Sequence, residues 1–172
     1  MDSNILKSLS FALIFLFILS CGQNNKPTND SALSNKREDS LKLKLNISDF
    51  KEIKLSSKAD TLVRKWPMYL DLKNEVGRLS NYTLQDVISN ISTLEKVADS
   101  LQRTIPKAVD TFPVTSRINV LNTKAKYMLL LSEKQKPRLN EIKAIAEEYP
   151  LEFNALNTQL NEIFIELPSF DN

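Results

Sequence analysis

Apolar residues recur at intervals of three and four along most of this chain, and this spacing constrains its fold more than any other feature. Between residues 83 and 106 they fill the two apolar positions of a heptad repeat. One position holds Leu84, Ile91, Ala98 and Ile105, and the other holds Val87, Leu94 and Leu101. Such a repeat forms one continuous apolar stripe on an α-helix. The sequence therefore predicts a long amphipathic helix here, with Pro106 ending it.

The last third of the chain keeps a similar heptad register from residue 114 to residue 167. A single helix of that span would be about 80 Å long. The stripe becomes polar at Ser132 and Gln135, however, and Pro137 follows in a charged run. We therefore predict a turn near Pro137 and two separate helices. Pro150 interrupts the second helix while the stripe continues through it, which predicts a kink rather than a reversal.

Four helices follow from this reading, near residues 60–80, 83–105, 113–135 and 138–167. Thr83 with Asp86 three residues later resembles a capping box, which marks a helix start. Short connections favour antiparallel neighbours, so the predicted fold is all-α, an up-down bundle. The alternative is a long helical hairpin or coiled coil that buries its stripes by self-association. Gly22 and Gly77 are the only glycines, which argues against a turn-rich β fold.

An apolar run from Phe11 to Leu19 follows Lys7 and precedes Ser20 and Cys21. A membrane-spanning helix needs about 20 apolar residues, so this run is too short. A positive charge, a short apolar centre and a small residue before a cleavage site are typical of a secretory signal peptide. Two interpretations of this segment remain open beside the one given in the next paragraph. One is an ordinary signal peptide next to a chance cysteine, and the other is an uncleaved membrane anchor.

The stretch Ile18-Leu19-Ser20-Cys21 resembles the lipobox of bacterial lipoproteins, and this resemblance covers only the first ~25 residues. It implies cleavage between Ser20 and Cys21, diacylglycerol on the Cys21 sulfur, and further acylation with a chain such as palmitate. Two or more acyl chains give stable membrane attachment, whereas one is marginal. Cys21 is the only cysteine, so an exported chain could form no internal disulfide.

The sequence divides into three parts. Residues 1–20 form the predicted signal peptide, residues 21–59 a lipidated, flexible tether, and residues 60–172 the helical bundle domain. The tether is polar and poor in large apolar groups, which predicts disorder. Within it, residues 41–47 alternate apolar and polar residues, the pattern of a half-buried strand. We expect an extended connector in a groove there, with a strand docked on the body or on a partner as the alternative.

Composition excludes several functions. The chain has no histidine, which removes the usual general base and the commonest metal ligand. Its 23 basic and 21 acidic residues nearly balance, so no basic field for nucleic acid exists. We expect no enzymatic activity, no cofactor and no metal site. Trp66 and Tyr127 do not lie on the main apolar stripes of the predicted helices. We expect them at an exposed interaction surface, since Trp and Tyr dominate many interfaces.

The expected function is that of a membrane-anchored bacterial lipoprotein whose helical domain mediates protein–protein interaction or has a structural role in the cell envelope. The expected partners are the membrane, through the lipid on Cys21, and an envelope protein; self-association is an open alternative. A second alternative is a bundle that binds a small apolar ligand. Gly22, rather than an aspartate, follows Cys21. By resemblance to enteric-type sorting, this favours the outer membrane if the source has two membranes.

Overall fold

A computed structural model describes residues 29–47 and 49–165 of the chain. Ser20 and Cys21 lie outside the described residues, so the predicted cleavage and lipidation sites are not part of the fold described below. The chain separates after Lys36 into two units. The unit that begins at Arg37 contains the helical bundle.

The described residues form six α-helices. They are α1 (Asn29–Leu41), α2 (Ser57–Val63), α3 (Pro67–Leu79), α4 (Leu84–Arg103), α5 (Phe112–Ser132) and α6 (Leu139–Glu162). Within the described ranges there is no β-strand, only an isolated antiparallel bridge between Lys44 and Thr83. The predicted all-α fold is confirmed.

The helix predicted near residues 60–80 is divided into α2 and α3. Pro67 is the first residue of α3, a position where its missing N–H costs nothing. The residue before a proline is forced away from the helical conformation, and Trp66 has φ −115° and ψ 88°. The same proline that starts α3 therefore prevents α2 from continuing into it.

Helix α4 begins at the predicted cap. Asp86 N–H donates to Thr83 Oγ1 at 3.2 Å, and Thr83 N–H donates to Asp86 Oδ2 at 2.8 Å. Hydrogen bonds from the Thr83 hydroxyl and N–H hold the pKa of the Asp86 carboxyl below its usual value. The capping box is confirmed, and it fixes the point at which the heptad stripe starts.

The predicted stripes form the core. The buried stripe residues of the three long helices are Leu84, Val87, Ile91, Leu94, Ala98 and Leu101 in α4, Val114, Ile118, Leu121, Ala125 and Met128 in α5, and Ile142, Ala146, Tyr149, Phe153, Leu156 and Leu160 in α6. Residues 133–138 separate α5 from α6, and α6 continues through Pro150 without reversal. Two helices, not one long rod, therefore occupy the last third of the chain, as predicted.

The long helices pack as an up-down bundle. Helix α3 packs on α4, α4 on α5 and α5 on α6, and α6 returns to α3. Residues later in α5 pair with residues earlier in each neighbouring helix. On α4, Asn119 bonds Gln102 whereas Lys126 pairs with Asp99; on α6, Lys124 pairs with Glu152 whereas Tyr127 bonds Glu141. The neighbouring helices are therefore antiparallel. The predicted bundle is confirmed.

The segment before α2 differs in part from the predicted tether. Residues 29–41 form helix α1; they contain no proline or glycine, and Glu38 pairs with Lys42 at 2.7 Å, a spacing that supports a helix. After it, Leu45 and Ile47 are buried while Lys44 is exposed. The alternating pattern of residues 41–47 thus corresponds to a short connector in which Leu45 and Ile47 join the core while Leu43 is exposed.

Candidate interaction groove

An extended segment, residues 50–56, lies along α6 and forms one wall of a surface groove; we call it the strap. Its residues belong to no helix or strand. Ile53 N–H donates to Asn154 Oδ1 at 2.8 Å, and Ser56 N–H donates to Asn161 Oδ1 at 2.7 Å. Seven helical residues rise about 10.5 Å, which three residues span only when nearly extended. The strap therefore runs along α6 in the same direction, with an almost straight backbone.

Three asparagines of α6, which we call the asparagine ladder, hold the strap through its backbone. Their Nδ2 groups donate to strap carbonyls: Asn154 to Lys51 at 2.8 Å, Asn157 to Ile53 at 3.0 Å and Asn161 to Lys54 at 3.0 Å. Spacings of three and four place the ladder on one helix face. Each amide presents a donor beside an acceptor, the same pair of groups that a neighbouring β-strand would present.

The central asparagine also reaches the core. Asn157 is fully buried, and its Oδ1 accepts a hydrogen bond from the Tyr69 hydroxyl at 2.7 Å. Burial raises the pKa of Tyr69, and the charges of Glu52 and Asp60 raise it further, against the opposing effect of the bond to Asn157. The hydroxyl therefore stays protonated and donates at all ordinary pH values.

A fourth contact fastens the chain before the strap. Asn46 N–H donates to Glu147 Oε1 at 2.6 Å, and Lys143 pairs with the same carboxylate. Burial alone would raise the pKa of Glu147, but the hydrogen bonds from Lys143 and from Asn46 outweigh it and lower the pKa. Glu147 therefore remains a charged acceptor at neutral pH.

Part of the strap backbone has no hydrogen-bond partner among the described residues. Among the described residues, the Glu52 N–H, the Glu52 carbonyl and the Lys54 N–H have no hydrogen-bond partner. The strap does not alternate as a β-strand does, because the carbonyls of two successive residues, Ile53 and Lys54, both accept hydrogen bonds from α6. Its contacts with α6 recur every three residues instead, through the carbonyls of Lys51 and Lys54 and the N–H groups of Ile53 and Ser56, which is the period of a polyproline II helix. The unpaired groups belong to exposed residues.

The strap borders a groove that it forms with helices α2 and α3. The groove is lined by Glu52, Lys54, Leu55, Asp60, Val63, Arg64, Tyr69, Leu70 and Lys73. A second hollow shares Glu52 and Lys73 and continues along α3 to Arg78 and Asn81. Leu70, which lines the groove, is 37% exposed, so an apolar side chain is accessible there.

The charges of the groove are paired except at one residue. Lys73 pairs with Glu52 at 2.6 Å, Arg64 with Asp60 at 2.7 Å, and Arg78 with Glu75 at 2.7 Å. In the part of the chain that the structure describes, the Lys54 ammonium has no acidic partner. The groove therefore carries one excess positive charge, at Lys54.

Trp66 is not an exposed contact, and the expectation that it is one is wrong. It is 1% exposed, its Nε1 donates to Thr104 Oγ1 at 3.0 Å, and its ring lies 6.0 Å from that of Tyr69. Trp66 is off the stripe because it precedes Pro67 in the break between helices, where its side chain packs across the end of the bundle. Its role in the structure is packing.

Tyr127 has the predicted exposure. It is 43% exposed, and its hydroxyl donates to Glu141 Oε2 at 3.2 Å. Leu130, one turn further along α5, is also exposed. Tyr127 lies on α5, so it is not part of the groove formed by the strap, α2 and α3. Because Trp66 is buried and Tyr127 is exposed, the two predicted contact residues do not form one interaction surface.

The asparagine ladder was not predicted from the sequence. The sequence feature that could have indicated it is a set of three asparagines, spaced by three and four residues on α6. They lie directly beside the apolar stripe, where exposed charged residues are more usual. Nothing in the alternation of residues 41–47 indicates that the following segment also docks on the bundle. The strap bonds α6 through its backbone, and of its side chains only Phe50 and Leu55 pack against the core.

Comparisons with known proteins identify no relative. No family model matches the chain, and neither a curated protein nor a solved structure matches it. Within residues 29–47 and 49–165, no three acidic or cysteine side chains are grouped as metal ligands. No helix of the same residues has both the length and the apolar composition needed to span a membrane.

Proposed function

We propose that this protein is a lipid-anchored component of a bacterial cell envelope whose helical domain binds another envelope protein. The anchoring half of the proposal rests on the lipobox-like stretch that ends at Cys21. The binding half rests on one structural observation: a surface groove between the strap, α2 and α3 carries one excess positive charge, at Lys54.

Two features favour an interaction role over the alternatives. The heptad stripes are buried within the single chain, so they are not free to form a coiled coil with a second copy. An apolar crevice between α3 and α4, lined by Leu79, Val87 and Ile91 among others, has room for no more than about one water molecule. That crevice does not support binding of an apolar organic ligand.

The localisation that we propose follows from the anchor. A diacylglyceryl group on Cys21 holds the bundle domain at a membrane surface, and the resemblance to enteric-type sorting makes the outer membrane the proposed site in a two-membrane cell. The chain between Cys21 and the bundle sets how far from that surface the groove operates.

The proposed function can be tested in cells that express the full chain and its Cys21→Ala variant at equal levels. We expect the unaltered protein in the membrane fraction and the variant to be released or incorrectly processed. Chemical crosslinking should then capture a reproducible envelope protein with the anchored form. An anchored, correctly cleaved variant would overturn the lipid proposal, and reproducible crosslinking experiments without any partner would overturn the interaction proposal.

A further inference from the structure

We propose that the asparagine ladder of α6 is a binding site for the backbone of an extended protein segment, and that the strap occupies this site until a segment of the partner protein displaces it. The strap then acts as an intramolecular inhibitor of partner binding. This inference rests on the proposed interaction function, and it specifies the site, the chemistry of its ligand and the way in which binding is regulated.

The ladder recognises main-chain groups of the strap. Asn154 accepts from one strap N–H and donates to one strap carbonyl, both at 2.8 Å. Asn161 does the same at 2.7 and 3.0 Å, and Asn157 donates to a third atom, also a carbonyl, at 3.0 Å. Every residue carries these groups, except that proline lacks the N–H. The ladder therefore fits an extended segment that has N–H groups at two positions three residues apart.

The side chains of the strap contribute little to its recognition. Residues 51–54 are exposed, and the two strap side chains that pack against the core, Phe50 and Leu55, are only partly buried. The sequence requirement is therefore an extended backbone with two apolar residues five positions apart. A partner segment that meets this requirement can take the place of the strap.

The strap can leave the ladder while both of its ends stay attached. Asn46 is bonded to Glu147 before the strap, and Ser56 caps α2 at its end. From Glu147 to Asn161, α6 rises about 21 Å, whereas the ten-residue step from Asn46 to Ser56 can span about 33 Å. This slack allows residues 50–55 to lift away from α6 without extracting the connector from the core or unwinding α2.

A tethered strap competes with every free segment for the ladder. A ligand joined to its site by a short linker has an effective concentration in the millimolar range. The apparent affinity for a free segment falls by the fraction of molecules in which the site is open. Weakening the attachment of the strap should therefore increase binding of a free segment, whereas loosening a contact that is only structural creates no binding.

The probe for this competition is a synthetic peptide with the sequence of residues 49–57, labelled with a fluorophore at its amino terminus. Its binding to the full chain in detergent micelles is measured by fluorescence anisotropy. Ile53→Pro in the chain removes the N–H that Asn154 accepts. The matched control is Glu52→Pro, because the Glu52 N–H has no partner among the described residues. Leu55→Ala weakens the strap without a proline, and thermal unfolding shows whether each variant folds.

We expect the peptide to bind the Ile53→Pro chain about tenfold or more tightly than the unaltered chain, as the loss of one or two competing hydrogen bonds implies. The Glu52→Pro chain should stay within about twofold of the unaltered chain, and Leu55→Ala should increase binding. Replacing Asn154 and Asn161 by alanine in the Ile53→Pro chain should abolish the increase. A peptide that itself carries Ile53→Pro should bind about tenfold or more weakly than the unaltered peptide.

Equal affinity of the Ile53→Pro and Glu52→Pro chains, no binding to any chain with a weakened strap, or an increase that survives loss of both asparagines would overturn the inference. Its failure is distinguishable from failure of the proposed function. If the anchored protein captures its envelope partner in cells and Ile53→Pro leaves the captured amount unchanged, the interaction function stands and the ladder is not its site.

Discussion

Tyr69 of α3 donates a hydrogen bond from its hydroxyl to Oδ1 of Asn157 on α6 at 2.7 Å, and both residues are buried. Through its Nδ2, Asn157 donates to the Ile53 carbonyl at 3.0 Å. One buried amide therefore joins the core of the bundle to the strap. The position of the strap depends on this junction.

The first prediction concerns the coupling of this pair. Asn157→Ala leaves the buried Tyr69 hydroxyl without an acceptor and should lower the free energy of unfolding by about 3 kcal/mol, since an unsatisfied buried group costs about 1–3 kcal/mol and the lost side chain adds to it. Tyr69→Phe should cost about 1–2 kcal/mol. Urea unfolding of both single variants and the double variant measures the coupling, which we expect to exceed about 0.5 kcal/mol.

A matched control is available in the same core. The Tyr149 hydroxyl is buried and has no hydrogen-bond partner in the described part of the chain. Tyr149→Phe should therefore leave the stability unchanged or raise it, because it removes an unsatisfied polar group. If Tyr69→Phe and Tyr149→Phe have the same effect, or if Tyr69→Phe and Asn157→Ala are additive, the buried junction does not contribute as described.

The second prediction concerns docking of the strap. Asn154→Ala removes the acceptor of the Ile53 N–H and the donor to Lys51. Hydrogen exchange of the Ile53 amide should become faster by about tenfold, because opening of the strap then breaks fewer hydrogen bonds. Asn140→Ala, an exposed position of the same helix, is the control and should leave that rate unchanged. An unaltered Ile53 rate in Asn154→Ala would contradict a strap held by the ladder.

The third prediction uses the single tryptophan. Because Trp66 is buried and bonded to Thr104, its fluorescence should be blue-shifted, weakly quenched by iodide, and red-shifted on unfolding. Trp66→Phe should lower the free energy of unfolding by about 2 kcal/mol, from lost volume and a lost hydrogen bond. Tyr127→Ala, at an exposed position, should cost less than about 1 kcal/mol. Strong iodide quenching of the folded protein would place Trp66 at the surface instead.

The fourth prediction concerns acidification. The folded-state pKa of Glu147 is lowered by the hydrogen bonds from Lys143 and Asn46, which outweigh the raising effect of burial. A lowered folded pKa means that the carboxylate stabilises the fold fully above the unfolded glutamate pKa of about 4.3. That contribution is lost as the pH falls through the lower folded value. The Asn46 amide resonance should therefore shift in the same pH range, below about 4.3.

Glu147→Gln provides the control for this titration. Glutamine keeps an oxygen acceptor for the Asn46 N–H but has no ionisable group, so the Asn46 resonance should no longer shift with the carboxylate titration. Persistence of the same transition in Glu147→Gln would assign it to another acidic group and contradict the proposed attachment.

The helical part of the fold could be predicted because its information is local. The heptad apolar residues of α4, α5 and α6 identify the buried faces, Thr83 and Asp86 identify a helix start, and the polar run near Pro137 identifies a turn. The break before Pro67 was missed because Pro67 was treated as a position inside the first turn of one longer helix. Because Pro67 excludes the helical conformation at Trp66, α2 does not continue into α3. Trp66 is buried at this break between the two helices.

The groove could not be predicted, because backbone groups and residues distant in sequence form it. The ladder residues Asn154 and Asn161 recognise carbonyls and N–H groups about one hundred positions earlier, and no side-chain pattern in the strap records that contact. The helix at residues 29–41 was also not predicted. The polar composition of this segment was interpreted as disorder, although the segment contains neither proline nor glycine.

The lipid anchor that we propose at Cys21 can be tested by mass spectrometry of the amino-terminal peptide from the membrane-extracted protein. We expect a mature chain that begins at Cys21 and carries a diacylglyceryl group on its sulfur. A mature protein that retains the residues before Cys21, or one with an unmodified Cys21 thiol, would contradict it.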